Sequence, residues 1–236
     1  MKKFKSFKKD LINRVKIFTK GESAPNLEKV KNEKDLFKYL YRCINFYFYI
    51  NKIITKQDLL KFNKKLLLSK GFYIDFFDDI DTNKAYITLI DSSPVITIDD
   101  KSKIDWMSIE GNSKPIIYIT KSEPVSLQIC GNASPSIIFS YNTTSLITIY
   151  QKAKPKLELN KFSNAKIFVY DKSAPIINVN NVSVCSLTGE STTKPTVTIN
   201  DTSILILDMY VHNKNVKIIN NSTVINRAQN IIQKLK

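Results

Sequence analysis

The sequence predicts a mainly β fold with an α-helical N-terminal region: a two-sided parallel β-solenoid with about 20 residues per coil. Three observations predict it. Seven of the eight prolines fall after residue 93, and six of them (Pro94, Pro115, Pro135, Pro155, Pro175 and Pro195) follow at gaps of 21, 20, 20, 20 and 20. Apolar residues stand two and four positions after each: Ile96, Ile117, Ile137, Leu157, Ile177, Val197, then Ile98, Ile119, Phe139, Leu159, Val179, Ile199. A second pair of columns stands twelve and fourteen positions on in the regular repeats: Met107, Leu127, Ile147, Ile167, Leu187, Leu207, then Ile109, Ile129, Ile149, Val169, Gly189, Met209. The residues between them change character from repeat to repeat. Period-two alternation of this kind is that of strands, with the constant columns facing inward.

The elements follow in order. In residues 1–70, Phe4, Phe7, Leu11, Val15 and Phe18 recur at helical spacing, and Gly21 ends that helix. Lys20–Asn26, "KGESAPN", reads as a linker. Leu36, Leu40, Cys43, Ile44, Tyr47 and Phe48 fit a second helix, although the aromatic run "CINFYFYI" also suits a strand. A third helix starts at Thr55, an N-cap with Asp58 three residues later, and ends at Gly71. Residues 71–84 form an acidic linker and the start of the solenoid, and residues 85–224 form the solenoid itself. Its first arm is Ala85–Ser93 and its last lies near Val216–Thr223. At roughly 4.8 Å per coil, about seven coils give a rod on the order of 35 Å long.

Proline lacks an N–H for the ladder and therefore belongs at the first position of an arm. Small residues mark the corners: Ser102, Thr143, Ser163, Ser183 and Ser203 at one, Ser113, Ala133, Ala153, Ser173 and Thr193 at the other. Asn160, Asn180 and Asn200 are spaced for an amide ladder, and the same step lands on Asn220. Open solenoid ends need covering, so residues 225–236 are expected to form a C-terminal helical cap.

The net charge is +15 and unevenly placed: residues 1–70 hold 19 Lys and Arg against 6 Asp and Glu, and residues 71–236 hold 17 against 15. A concentrated basic field favours an anionic partner; the abundance of Lys, Asn and Ile equally fits coding by an AT-rich genome. No apolar run reaches the roughly 18 residues of a spanning helix. The lysine-rich N-terminus lacks the apolar core of a secretory signal. Cys43, Cys130 and Cys185 are scattered, which reads as a reducing, cytoplasmic setting. The chain has no GxSxG, P-loop, HExxH or GxGxxG motif, and one histidine, His212. No catalytic residue, metal or cofactor is expected. "DFFDDID", Asp75–Asp81, lacks the glycine and terminal Glu of a calcium loop and reads as a solvated linker.

Two sets of residues stand out as candidate contacts. Tyr150, Tyr170 and Tyr210 share an outward column, with Glu190 between the last two. Stacked tyrosines make the amphipathic surface enriched at interfaces, or they only stabilise the rod. Lys2, Lys3, Lys5, Lys8, Lys9, Arg14, Lys16, Lys61, Lys64 and Lys65 form a candidate anion-binding set. The repeats "GNASP", "YDKSAP" and "VNNVSV" resemble the short β-solenoid repeats of phage- and prophage-type proteins, over residues 85–224. That resemblance implies a viral or mobile-element origin, a cytoplasmic or virion-associated location, and a non-enzymatic role. The chain is thus expected to be a structural or protein-interaction module docked to a protein partner or larger assembly. Nucleic acid bound through the basic helices is the alternative, and an anionic membrane surface met by the first helix ranks third. Oligomeric state stays open.

Overall fold

A strand with one apolar face needs a second layer to bury it, and two such strands per twenty residues supply it for each other. The computed structural model describes residues 2–19, 27–42, 53–190, 192–208, 215–227 and 231–234. The chain divides into two units, Met1–Lys70 and Gly71–Lys236.

The first unit is helical: α1 (Lys2–Thr19), α2 (Glu33–Arg42), α3 (Lys56–Leu59) and α4 (Lys64–Ser69). Phe7, Leu11 and Val15 of α1 are buried, as are Leu36, Phe37 and Leu40 of α2. Thr55 caps α3 with the expected reciprocal box, its hydroxyl accepting from the Asp58 N–H while the Asp58 carboxylate accepts from the Thr55 N–H. The single third helix expected from Thr55 to Gly71 is instead broken in two. Asn63 starts α4 by accepting from the Lys65 N–H (2.8 Å). The break lets Phe62 meet Phe7 and Phe37 edge-on, with ring centroids at 5.3 and 5.1 Å. An uninterrupted helix would forgo those contacts. The Lys20–Asn26 linker and the aromatic run from Cys43 lie outside the described residues.

The second unit contains β1 (Phe72–Ile74), β2 (Tyr86–Ile90), β3 (Val95–Ile98), β4 (Trp106–Glu110), β5 (Ile116–Ile119), β6 (Val125–Ile129), β7 (Ser136–Phe139) and β8 (Thr144–Ile149). It continues with β9 (Lys156–Leu159), β10 (Asn164–Val169), β11 (Ile176–Val179), β12 (Val184–Gly189), β13 (Thr196–Ile199), β14 (Ile204–Leu207), β15 (Val216–Ile218), β16 (Thr223–Asn226) and β17 (Ile231–Lys234). The odd strands from β3 to β15 make one seven-stranded sheet; β1, the even strands and β17 make the other, of ten. Successive coils pair in parallel at a spacing of 20, as in Ile147↔Ile167↔Leu187 and Ile137↔Leu157↔Ile177. This is the predicted solenoid, and its arms begin earlier than Ala85, because β1 pairs with β2 through Phe72↔Thr88.

Every described residue of the inward columns is buried except Gly189, which is partly exposed; Met209 lies outside the described residues. A third inward column accompanies them on the longer arm: Val125, Ser145, Ala165, Cys185, Leu205 and Val224. Each regular proline places only its carbonyl in the ladder; Pro135 accepts from Lys156 N–H (2.8 Å) and Pro155 from Ile176 N–H (2.9 Å). Corner hydroxyls hold buried carbonyls, as in Ser173 Oγ to Tyr170 O (2.7 Å) and Ser113 Oγ to Glu110 O (2.6 Å). Their polarity therefore matters as well as their size, since buried carbonyls need donors.

Two expectations are corrected at the C-terminal end. In the last coil the spacing falls to 19, with Val197↔Val216 and Ile204↔Thr223. Asn200 donates to Asn180 (2.7 Å) and Asn180 to Asn160 (3.0 Å), so the amide ladder holds for those three. The missing residue moves Asn220 out of that column and into a left-handed corner position, φ 46°. The expected helical cap is also absent from residues 231–234, which form β17, antiparallel to β16 through Ile225↔Ile232. The edge of β16 presents a row of backbone donors and acceptors. A strand satisfies them and a helix does not.

Ile167 is fully buried and the adjacent Lys166 exposed. Ile167→Asp places an unpaired charge between coils and should abolish cooperative thermal unfolding of the second unit. Lys166→Asp, one residue away on the opposite face, should leave unfolding cooperative and cost about 1 kcal/mol, from loss of the contact of Lys166 with the Phe168 ring. Calorimetry or circular dichroism melts of both variants check the register.

Candidate functional site

The solenoid has two corners, and the sequence treats them differently. At the first, between the short and the long arm, pairs of consecutive residues take left-handed backbone: Tyr141–Asn142, Lys161–Phe162, Asn181–Val182 and Asp201–Thr202, with φ between 52° and 67°. This turns the inner residue's N–H toward the next coil: Asn142 donates to Lys161 O (3.2 Å), Phe162 to Asn181 O (3.2 Å) and Val182 to Asp201 O (3.1 Å). Left-handed backbone suits Gly, Asn and Asp, and is a genuine outlier for a β-branched or bulky residue. Yet Tyr141, Phe162 and Val182 occupy it and stand 60%, 61% and 47% exposed. Lys161 lies over the Tyr141 ring at 4.2 Å and donates to its hydroxyl at 2.7 Å. Beside Phe162 a groove of about 720 Å3 runs across Asn181, Val182, Asp201, Thr202 and Asn220. This ridge was not among the residues expected from the sequence to form contacts. The available signal was Tyr, Phe and Val at the sixth and seventh positions after proline, where a tight corner calls for Gly or Asn.

At the second corner one residue per coil is left-handed: Asp91, Gly111, Gly131, Gln151 and Asp171. A Cβ on Gly131 would come within 3.0 Å of the Gly111 backbone, so the coils there approach as glycine permits. Side-chain acceptors take the corner N–H groups of adjacent coils. Gln151 accepts from Gly131 N–H (2.8 Å), Asp171 from Gln151 N–H (2.9 Å) and Glu190 from Asp171 N–H (3.2 Å). The column just before this corner runs Ile90, Glu110, Cys130, Tyr150, Tyr170 and Glu190. Tyr150 and Tyr170 stack as expected, with centroids 5.0 Å apart and planes at 13°, both half-buried. Tyr210 lies outside the described residues, as does His212.

Glu110 places a carboxyl in the buried part of that column, 1% exposed between Ile90 and Cys130, both 0% exposed. Burial pushes its carboxyl up to about 7, against hydrogen bonds from the Ser108 hydroxyl and the Cys130 thiol. Burial likewise raises the Cys130 and Cys185 thiols, the latter to about 12, which leaves both inert as nucleophiles at neutral pH.

In the helical unit, four members of the predicted anion-binding set have internal partners. Arg14 pairs with Asp58 (2.7 Å) and Asp10, and donates to Ile53 O (2.8 Å). Lys8 donates to the carbonyls of Glu28 and Val30 (2.6 and 2.7 Å). Lys61 pairs with Asp58 (2.8 Å) and Lys16 with Glu28 (3.1 Å). Burial opposes charge on Asp58, but the hydrogen bonds from Arg14 and Lys61 outweigh it and hold the carboxyl well below the usual range. Lys8, Arg14 and Lys61 thereby brace the helices. Lys5, Lys9, Lys64 and Lys65 are exposed without an ion pair among the described residues. Lys2 and Lys3 lie on α1, their side chains outside the described set.

Among the described residues no group of three His, Cys, Asp or Glu could hold a metal ion, and no helix is long and apolar enough to cross a membrane. Within Asp75–Asp81, Asp81 is committed to Lys84 and to the Asn83 N–H. The chain matches no protein-family model, no curated protein and no solved structure.

The Glu110 environment sets a pH dependence. Its folded-state carboxyl sits above the ordinary 4.5, at about 7. Folding is therefore unpenalised below about pH 4.5 and loses stability as pH rises through 7, by on the order of 3 kcal/mol. Glu110→Gln should flatten the difference in melting temperature between pH 5 and pH 8 and raise stability at pH 8. Equal pH dependence in both proteins would contradict the buried, proton-holding site.

Proposed function

We propose that this protein is a non-enzymatic interaction module: a stiff solenoid that presents the Tyr141–Phe162–Val182 ridge to a protein partner or larger assembly. The observation that carries the reading is the conformational cost at that ridge. A non-glycine side chain in left-handed backbone costs about 1–2 kcal/mol, and residues held in such conformations cluster at functional sites. Val182 has φ 61° and Phe162 φ 67°. Neither contributes a buried side chain, so folding alone favours Asn or Gly at both. Binding supplies the missing reason. A rigid, exposed aromatic and aliphatic row loses little entropy on docking and matches the composition of interface cores.

The remaining geometry supports the same reading. Phe162 and Val182 donate their N–H groups to the next coil (3.2 and 3.1 Å) and Lys161 holds the Tyr141 hydroxyl (2.7 Å), and a preorganised surface binds at lower ordering cost. The Tyr150–Tyr170 stack lies at the other corner, half-buried. Its rings cover each other, which suits the stabilising role better than the docking one.

The test separates folding from binding. Phe162→Asn and Val182→Asn should each leave stability unchanged or raise it by about 1 kcal/mol, because Asn tolerates left-handed backbone. The double variant should lose a polypeptide that the full-length wild type retains after crosslinking in extract of the encoding organism. Tyr150→Ser should lower the melting temperature and leave capture intact. Capture unchanged by the ridge variants removes the ridge from the interaction reading.

A further inference from the structure

The second corner carries charge that neither the fold nor the ridge uses. Lys152, Lys154 and Lys156 alternate with the buried residues Ala153 and Pro155, so all three project outward from one coil. Lys172 repeats Lys152 one coil on, about 4.8 Å away along the axis. Lys114 and Lys194 repeat Lys154 two coils away in either direction, so the strip runs about 19 Å parallel to the axis. All six are exposed, and none makes an ion pair among the described residues.

The acids of this corner are engaged elsewhere. Asp91 accepts from the Asn112 N–H (2.7 Å), Asp171 from the Gln151 N–H (2.9 Å) and Glu190 from the Asp171 N–H (3.2 Å). Their lone pairs cap left-handed turns, and the ammonium groups face solvent. The three carboxylates keep their charge while they cap the turns, so six lysines against three acids leave the edge net positive. Next to it lie the Tyr150–Tyr170 stack and a groove of about 660 Å3 whose charged lining is Lys152 and Lys172 together with the turn-capping Asp171 and Glu190.

We propose that this corner binds single-stranded nucleic acid, the lysines following the phosphates and the tyrosine edges meeting the bases. A line of cations that tracks the backbone is the sequence-independent part of single-strand binding, and the Tyr150–Tyr170 pair, its faces closed on each other, leaves only ring edges for contact beside it. A narrow strip matches a linear polyanion better than a flat anionic bilayer, against which the partly exposed Glu158 of the neighbouring face would also be pressed. The site shares no residue with the ridge or with the basic helices, so each is altered independently.

The experiment uses the full chain, a fluorescein-labelled 20-nucleotide oligo-dT and fluorescence anisotropy between 50 and 200 mM salt, the range over which phosphate contacts weaken by roughly orders of magnitude. A Lys152→Glu, Lys154→Glu, Lys172→Glu variant, with its melting temperature matched to wild type, should bind at least about tenfold more weakly, and its log-affinity against log-salt slope should fall by about 2. The matching Ala variant should give a smaller loss of the same sign. Lys5→Glu, Lys9→Glu, Lys64→Glu and Lys65→Glu together should retain the larger share of binding. Tyr170→Ser should weaken oligo-dT binding and leave an abasic oligomer unaffected. Absence of binding by wild type at 50 mM salt, or loss confined to the helical variant, overturns the proposal. Equal or tighter corner-dependent binding to phosphatidylserine vesicles or to polyglutamate overturns the choice of nucleic acid.

Discussion

Constant register between parallel coils is the constraint on which the rest depends. In the regular coils each inward residue lies on its counterpart twenty positions away, and each arm hands its backbone hydrogen bonds to the next coil. A one-residue slip in such a sheet would turn the apolar columns to solvent. The corners must therefore close every circuit in the same number of residues, with their buried carbonyls satisfied. Serine and threonine hydroxyls, left-handed turns and side-chain caps on exposed N–H groups all serve that closure. Where the count changes, the consequence is local: one residue fewer in the last coil takes Asn220 out of the amide ladder and puts it at a corner.

What could be read from the sequence follows from the same constraint. Columns such as Ile137–Leu157–Ile177 repeat at a fixed period, so the inward faces, the proline positions, the three-member asparagine ladder and the Tyr150–Tyr170 stack were all legible. Features without a period were not. The break at Phe62 depends on rings contributed by Phe7 and Phe37, far apart in the chain. The β17 strand depends on the open edge of β16, which exists only after the solenoid has formed. The bracing roles of Lys8 and Arg14 depend on carbonyls and carboxylates from Glu28 to Asp58. The left-handed ridge was present in the columns, but its signal was a mismatch between residue type and backbone, and the backbone was needed to see it.

The two corners resolve the same closure problem with different side chains, and so differ in what they offer a partner. The first uses paired left-handed residues and spends them on exposed Tyr, Phe and Val. The second uses one left-handed residue per coil, glycine where the coils are tightest, and carboxylates that cap the turns. Among the described residues the exposed lysines of the second corner make no ion pair. Neither surface needs a cavity, because a solenoid this thin fills its interior with Ile, Leu and Val and carries its variation outside.

If a twenty-residue circuit is the structural unit, one circuit can be deleted without loss of the fold. Removing residues 156–175 joins Pro155 to Ile176, which replaces each strand of the lost coil by its counterpart one coil on. The shortened protein should unfold cooperatively, at a somewhat lower melting temperature, with its parallel-sheet dichroism retained. Removing residues 156–165 instead joins unlike arms and should prevent folding. If the ten-residue deletion melts as cooperatively as the twenty-residue one, the twenty-residue coil is not the structural unit.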